Sequence, residues 1–213
     1  MHTRYPPVGD MTILPMNNYE KMQEAARLRF LKYDAAALAQ KPGVTDLGSA
    51  LATCFLDRQT VVRKADGQIL LDGRIADFGE GLSVLDWLCD RKADAAAAMD
   101  FCSIGSLPGI YVGGGNLSMD MPVLSKAIHE NPDAFRNACE KIGGQSQNMG
   151  DIAFLLHLFP DLPMILKFYF GDEDFPPRLT LLWDRNTLRF VRYETIYYIA
   201  GCLQKRLLEL MGN

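Results

Sequence analysis

The strongest constraint on the fold is a succession of three apolar segments in the last third of the chain. Residues 153–159, 164–170 and 179–184 are rich in aliphatic and aromatic side chains, and proline-containing turns separate them. Apolar segments of this length between turn residues predict β-strands. Both alternating sets of side chains are apolar, so we expect helices to cover both faces of the resulting sheet.

A long amphipathic helix is predicted after the third strand, over residues 194–211. Apolar side chains recur there at intervals of three and four residues, which places them on one stripe of an α-helix. We expect this stripe to pack on the sheet. It consists of Ile196, Ile199, Ala200, Leu203, Leu207 and Leu210.

The beginning of the chain predicts an irregular arm followed by a helix. Residues 1–16 contain three prolines and no hydrophobic period, so we interpret them as an N-terminal arm beside a single domain of residues 17–213. Apolar residues at helical spacing predict a first helix over residues 18–33. A short second helix is expected after Asp34.

Residues 52–71 change from helical to strand periodicity. Three β-rich segments are separated by turn residues, and Asp66-Gly67 is a strong hairpin signal because glycine accepts a positive φ. This region therefore predicts an antiparallel meander. A helix capped by Ser83 is expected next, and it extends through the alanines at 95–98.

Two further helices are predicted to begin at Pro122 and Pro132, since proline fits the first helical position. Together the elements predict an α+β fold, with an antiparallel β meander and a C-terminal three-stranded antiparallel unit packed by helices. The chain has 213 residues, of which 48% are hydrophobic, and this is enough to bury one substantial core.

The charge balance argues against nucleic acid as a partner. Lysine and arginine number 22 against 26 acidic residues, so there is no overall positive field to hold phosphate backbones. No apolar run approaches the roughly 20 residues that a membrane-spanning helix needs, and the N-terminus lacks the pattern of a secretory signal. We therefore expect a cytoplasmic protein without a membrane partner.

The cysteines indicate neither a metal site nor a disulfide framework. They number five and include no CxxC pair, which fits neither zinc nor iron–sulfur ligation. We expect buried or half-buried free thiols. The residues are Cys54, Cys89, Cys102, Cys139 and Cys202.

Several short motifs carry a resemblance to a known family. The most specific part, from Gly150 to Asp184, combines Gly-Asp-Ile-Ala-Phe, a Pro-Asp-Leu-Pro turn, Gly-Asp-Glu-Asp-Phe-Pro-Pro and Leu-Trp-Asp in that order. Further matches are Asn-Asn-Tyr-Glu at 17–20 and Val-Leu-Asp-Trp-Leu at 84–88. On these motifs the chain resembles the domain-of-unknown-function family 3786 over nearly everything after residue 16.

This resemblance implies a metabolic setting and supplies no reaction. The family is found mainly in anaerobic bacteria and archaea, and some relatives resemble fusions to a cysteine-rich iron–sulfur module of the kind attached to corrinoid methyl-transfer proteins. The present sequence shows no such module. The resemblance implies a role in anaerobic metabolism, with a redox or methyl-transfer protein partner and a small-molecule or tetrapyrrole-type ligand.

An acidic loop is the first candidate for a binding site. Asp172, Glu173 and Asp174 lie between two predicted strands, and Asp184 ends the third. Carboxylates gathered in this way bind divalent cations or cationic ligands. The alternative is a solvated turn whose aspartates accept hydrogen bonds from backbone amides. We favour the turn, because the regular oxygen spacing of a calcium loop is missing.

Asp151 and His157 are further candidates. Asp151 precedes an apolar strand, where burial would raise its pKa toward that of a general acid or base; alternatively it bonds its own turn. His157 lies within the strand, either as a ligand or proton carrier in a pocket or as a core histidine with one partner. We favour the structural interpretation of both, since no second metal ligand lies near His157 in the sequence.

No motif assigns a catalytic residue or a cofactor. The glycines at 113–115 lack the spacing of a phosphate-binding loop, so nucleotide binding is not expected. The favoured hypothesis is a small-molecule-binding or accessory module beside an iron–sulfur or corrinoid-type partner. The alternatives are an enzyme that uses Asp151 and residues 172–174 as acid, base or metal ligands, and a structural subunit that docks through the glycine-rich loop.

Overall fold

The computed structural model describes residues 17–110, 119 and 121–212. The arm predicted at residues 1–16 and the glycines at 113–115 lie outside these residues. The described helices are α1 (Asn18–Phe30), α2 (Ala35–Ala39), α3 (Phe78–Asp90), α4 (Pro122–Glu130), α5 (Pro132–Lys141) and α6 (Tyr193–Met211). The described strands are β1 (Thr45–Asp46), β2 (Ala50–Phe55), β3 (Arg58–Arg63), β4 (Ile69–Leu71), β5 (Arg74–Ile75), β6 (Phe101–Cys102), β7 (Gln145–Ser146), β8 (Ile152–Phe159), β9 (Leu162–Tyr169) and β10 (Arg178–Asp184).

The first five strands form the predicted meander. They lie in the order β1-β2-β3-β4-β5, and every neighbouring pair is antiparallel. The turn between β3 and β4 is the hairpin expected at Asp66 and Gly67. Gly67 has a φ of +69°, and its N–H donates to the Arg63 carbonyl over 2.9 Å. Glycine adopts this left-handed conformation without a steric penalty, which explains why the local signal succeeds.

The remaining strands form a second antiparallel sheet, in the order β6-β10-β9-β8-β7. Its centre is the predicted three-stranded unit of β8, β9 and β10, and its edges are strands of two residues each. A tight turn of Pro160 and Asp161 joins β8 to β9, since Phe159 pairs with Leu162. The structure thus confirms the α+β fold class and its antiparallel C-terminal unit.

The two faces of the second sheet are covered differently. One face belongs to the main core, where the ring of Phe154 packs edge-on against Phe135 of α5 with centroids 6.1 Å apart. On the other face, Ala153, Leu155 and Ile165 form a separate small cluster that includes no helical residue from the described part of the chain. Among the described residues the expectation of helices on both faces is wrong here, because the apolar residues packed on this cluster are Phe101 and Leu182 of neighbouring strands.

Helix α3 lies at the centre of the molecule, and ten of its residues are buried. It begins with a capping box, in which the Glu80 N–H donates to Asp77 Oδ1 and the Asp77 N–H donates to Glu80 Oε2. The start predicted at Ser83 is therefore wrong, and the helix ends at Asp90 without including the alanines at 95–98. Gly79 and Gly81 lie in its first two turns, where the capping box and the burial of the helix outweigh the low helix propensity of glycine.

Helix α6 packs mainly against α3 and α5, whereas its stripe was expected to pack on the sheet. Leu203 and Leu207, one turn apart, are fully buried, as are Ile196 and Ile199. The stripe therefore belongs to the main core.

Truncating Leu203 or Leu207 to alanine is expected to lower the free energy of unfolding by about 2 to 5 kcal/mol, because each change leaves a cavity in a packed core. Denaturant unfolding followed by circular dichroism measures the effect. Leu28→Ala on α1 is the control, since that side chain is 48% exposed; it should change the free energy of unfolding by less than about 1 kcal/mol. Near-neutral behaviour of both core variants would place this face of α6 in solvent.

Candidate functional site

The six residues singled out in the sequence lie at two opposite ends of the second sheet. Asp151 and the acidic loop of residues 172–174 lie at the end where β8 begins and β9 ends. His157 and Asp184 lie toward the other end, where β8 and β10 end. The fold therefore does not bring the six residues together.

Asp151 forms hydrogen bonds with the end of β9. Its Oδ2 accepts from the N–H of Phe170 over 2.7 Å, and its own N–H donates to the Phe168 carbonyl over 3.0 Å. The residue is exposed, whereas a role in acid–base chemistry was expected to rely on burial. These contacts differ from the turn interpretation, because they join the start of β8 to the end of β9 instead of closing the turn of Asp151.

One carboxylate holds the acidic loop together. Asp172 Oδ1 accepts from the N–H of Asp174 over 2.9 Å and from the N–H of Phe175 over 2.8 Å. Gly171 lies directly before Asp172. A Cβ on residue 171 would lie 2.7 Å from the nitrogen of Pro177, so only glycine fits at this position. Across the described ranges, no group of three or more His, Cys, Asp or Glu is arranged to hold a metal ion.

His157 is exposed, so the favoured interpretation as a core histidine is wrong. Alternation along β8 places it on the same face as Ala153 and Leu155, and it pairs with Pro163 of β9. The apolar neighbours on both sides of it in the sequence had suggested burial. The small cluster on this face stops short of His157, which faces solvent instead.

Asp184 is fully buried and uses both carboxylate oxygens on backbone amides. Oδ1 accepts from the N–H of Ala98 over 3.0 Å and of Asn186 over 2.8 Å, and Oδ2 accepts from the N–H of Met99 over 2.7 Å. A buried carboxylate needs such donors to offset its lost hydration. Asp184 thus fixes the segment that follows α3 to the end of β10.

A pocket that the sequence did not reveal lies between α1, α3 and the strands β4 and β5; we call it the α1–α3 pocket. Its volume is about 420 Å³, within the range typical of small-molecule sites. Buried Ile69, Ala76 and Leu85 form its apolar floor, and the side chains of Gln23 and Gln68 lie at its rim. An apolar floor with a few polar groups above it is the usual composition of such sites.

Helix α1 supplies one wall of the pocket and is held there by Arg27. The guanidinium donates to the Asp66 carbonyl over 2.7 Å and forms two hydrogen bonds of 2.8 Å with Glu24. These hydrogen bonds lower the pKa of the Glu24 carboxyl and raise the pKa of Arg27. A capping box between Asn17 and Glu20 fixes the start of the helix.

A second cavity, of about 350 Å³, lies between α1, α3 and α6. Its polar groups already bind one another: Asp86 pairs with Arg29 and accepts from the Thr195 hydroxyl over 2.5 Å. In the α1–α3 pocket, by contrast, the side-chain amides of Gln23 and Gln68 form no hydrogen bond with another described residue. The α1–α3 pocket is therefore the stronger candidate for a ligand site.

A family model described as "Domain of unknown function (DUF3786)" matches residues 34–206. The chain belongs to the DUF3786 family. No curated protein and no solved structure matches it significantly. None of the helices in the described ranges is both long and apolar enough to span a bilayer.

The DUF3786 match confirms the resemblance seen in the motifs but begins later than they do. It contains the motifs from residue 84 onward, whereas the motif at 17–20 lies outside it. Helix α1 therefore lies outside the matched range. The α1–α3 pocket is built where this helix meets the DUF3786 domain.

Sequence reasoning missed three residues of the pocket: Gln23, Gln68 and Gly81. They come from separate segments, so no spacing links them. Gly81 did carry a signal, because a glycine inside a buried helix is unusual, but it was interpreted as part of a loop that precedes α3.

The five cysteines are free thiols, as expected. Burial raises the pKa of Cys89 to about 11 and that of Cys202 to about 12, and it also raises the pKa of Cys139. Thiolates, the nucleophilic form, are therefore scarce at neutral pH. Within the DUF3786 domain, these three cysteines lie in an environment like that of core residues.

Replacing Asp184 by alanine is expected to lower the free energy of unfolding by about 2 to 4 kcal/mol, because three backbone N–H groups lose their acceptor. Denaturant unfolding measures the loss. Asp100→Ala is the control, since Asp100 pairs with Arg185 on the surface and exposed ion pairs contribute at most about 1 kcal/mol. Equal effects of the two variants would contradict an anchoring role for Asp184.

Asp172→Ala is expected to lower the melting temperature by about 2 to 4 °C, since it removes the acceptor that orders the acidic loop. Glu173→Ala and Asp174→Ala, which leave these bonds in place, should stay within about 1 °C of the parent protein. Thermal melts with and without magnesium or calcium chloride test the rival role. A cation-dependent rise that all three variants lose would establish a metal site and refute the turn interpretation.

Proposed function

We propose that this protein is a small-molecule-binding module and that the α1–α3 pocket is its binding site. The pocket has the volume of a ligand site, an apolar floor and amide groups at its rim. It is also formed by helix and strand residues whose positions are fixed by the core. Such a site is preformed, so a ligand would bind without a large ordering cost.

The observation that carries this proposal is Gly81. It lies inside α3 and is buried, where glycine costs about 1 kcal/mol relative to alanine. A Cβ at this position would lie 3.6 Å from Gln23 Nε2 and 3.9 Å from Ile69 Cδ1, which are ordinary contacts. Packing of the fold therefore leaves room for a methyl group. That methyl group would project into the pocket, so the glycine keeps the pocket open at some cost to the helix.

The metabolic setting of the proposal comes from the family. We propose that the module serves anaerobic metabolism beside an iron–sulfur or corrinoid-type protein that carries out redox or methyl-transfer chemistry. A tetrapyrrole-type ligand was one expectation. The volume of about 420 Å³ favours a more compact molecule, since it lies toward the lower end of the range for small-molecule sites.

The geometry favours binding over the alternative of an enzyme that uses Asp151 and residues 172–174. Asp151 accepts a hydrogen bond from the N–H of Phe170, just after β9, and Asp172 accepts from two N–H groups of its own turn. They lie at the end of the second sheet, whereas the α1–α3 pocket borders the first. Both carboxylates thus bind backbone N–H groups, and the proposal assigns them no contact with the ligand.

The Gly81→Ala substitution tests the stability of the protein and the binding of a ligand separately. The variant should melt about 2 to 4 °C higher than the parent, because alanine favours the helix by about 1 kcal/mol. It should also lose stabilisation by any small metabolite that raises the melting temperature of the parent. Thermal melts with a panel of small metabolites, compared with native mass spectra of the purified proteins, measure both effects.

Gly201→Ala on α6 is the matched control, because a Cβ there would meet no atom within 4 Å and Gly201 does not line the pocket. It should gain helix stability and still respond to the same metabolites. A ligand that stabilises the parent and both variants equally would show that binding takes place elsewhere, and the proposal would then be wrong.

A further inference from the structure

The polar groups at the rim of the α1–α3 pocket are of one chemical kind. Gln23 and Gln68 carry side-chain amides, each with an oxygen acceptor and an NH₂ donor. Neither amide forms a hydrogen bond with another residue in the described part of the chain. Gln23 Nε2 lies above Gly81, since a methyl group there would be 3.6 Å from it. The Gln23 amide therefore borders the space beside Gly81, and Gln68 lines the same pocket.

The charged side chains that line the pocket disfavour an anionic ligand. Arg27 is the one cation among the lining residues, and its N–H groups already bind Glu24 and the Asp66 carbonyl. Glu20 is a further carboxylate of the lining. Glu24 pairs with Arg27 and Asp66 pairs with Arg63, and the lining holds three acidic side chains against one cation. A phosphate or carboxylate ligand would therefore meet a net negative field at this partly solvated rim.

The floor of the pocket suits a flat molecule. Ile69, Ala76 and Leu85 present apolar surface, and Gly81 adds no side chain beside them. Ile75 lies at the same pocket with 62% of its surface exposed, and it would be covered by a ligand on the floor. A planar ring would bury this surface with one face and reach the amides with its edge.

We infer that the α1–α3 pocket takes an uncharged, planar nitrogen heterocycle whose edge carries neighbouring hydrogen-bond donors and acceptors, such as a purine base or its nucleoside. A glutamine amide matches such an edge with two hydrogen bonds, as it does for adenine in other protein complexes. The net negative charge of the rim disfavours phosphorylated forms. This inference rests on the proposed function, because it names the ligand class of the same pocket.

Calorimetric titration of the full chain with adenine, guanine, adenosine and adenosine monophosphate tests the inference. At least one base or nucleoside should bind saturably, and the monophosphate should bind at least about tenfold more weakly than adenosine, because its phosphate faces carboxylates. Gln23→Leu and Gln68→Leu should each weaken binding about tenfold, since each removes the hydrogen bonds of one amide. Gln59→Leu, an exposed glutamine outside the pocket, is the control and should leave affinity unchanged.

The outcomes separate this inference from the proposed function. If other metabolites bind and Gly81→Ala abolishes their binding while no base or nucleoside binds, the ligand class is wrong and the binding site stands. If a base binds but neither glutamine variant nor Gly81→Ala weakens it, the base binds elsewhere and the inference is overturned. Binding of the monophosphate as tight as that of adenosine would also overturn it, because it would require a phosphate subsite.

Discussion

The ion pair between buried Arg91 and half-buried Asp161 ties the end of α3, the central helix, to the second sheet. Arg91, at the end of α3, is 5% exposed and lies over the rings of Trp87 and Phe190, at 5.2 Å and 5.6 Å. Asp161, in the turn between β8 and β9, also accepts from Trp87 Nε1 over 3.2 Å. Burial raises the pKa of Asp161 and lowers that of Arg91, and their mutual attraction opposes both shifts. Removing either partner would leave a buried charge, which is strongly destabilising.

Helices and strands that short sequence motifs specify were predicted well, whereas those that form only through tertiary contacts were not. β8, β9 and β10 follow from apolar segments between turn residues, and the hairpin at Gly67 follows from its positive φ. The edge strands have two residues each and exist because a neighbour is present to pair with, as Thr45 does with Ala52. The start of α3 was predicted too late, because the low helix propensity of glycine was considered without the capping box at Asp77. That capping box stabilises the helix only once the helix is packed in the core.

The acidic residues of the family motifs make structural contacts. Asp86 binds Arg29 and Thr195, and Asp151 joins the start of β8 to the end of β9. Asp172 orders its own turn, and Asp184 satisfies three backbone N–H groups. Aspartate suits all these tasks because its short carboxylate accepts several hydrogen bonds close to the backbone. A recurring aspartate in a turn motif is therefore weak evidence for chemistry, and the preference for the turn interpretation had this physical basis.

The pocket could not have been predicted, because its walls come from three segments that only the folded chain brings together. Gly81 and Gln68 lie inside the range that matches the family, whereas Gln23 lies on α1, outside it. The floor and the space above α3 thus lie within the matched range, whereas one wall and one of the two amides come from α1, outside it. The pocket therefore depends on the packing of α1 on the rest of the domain, which no motif of the sequence reports.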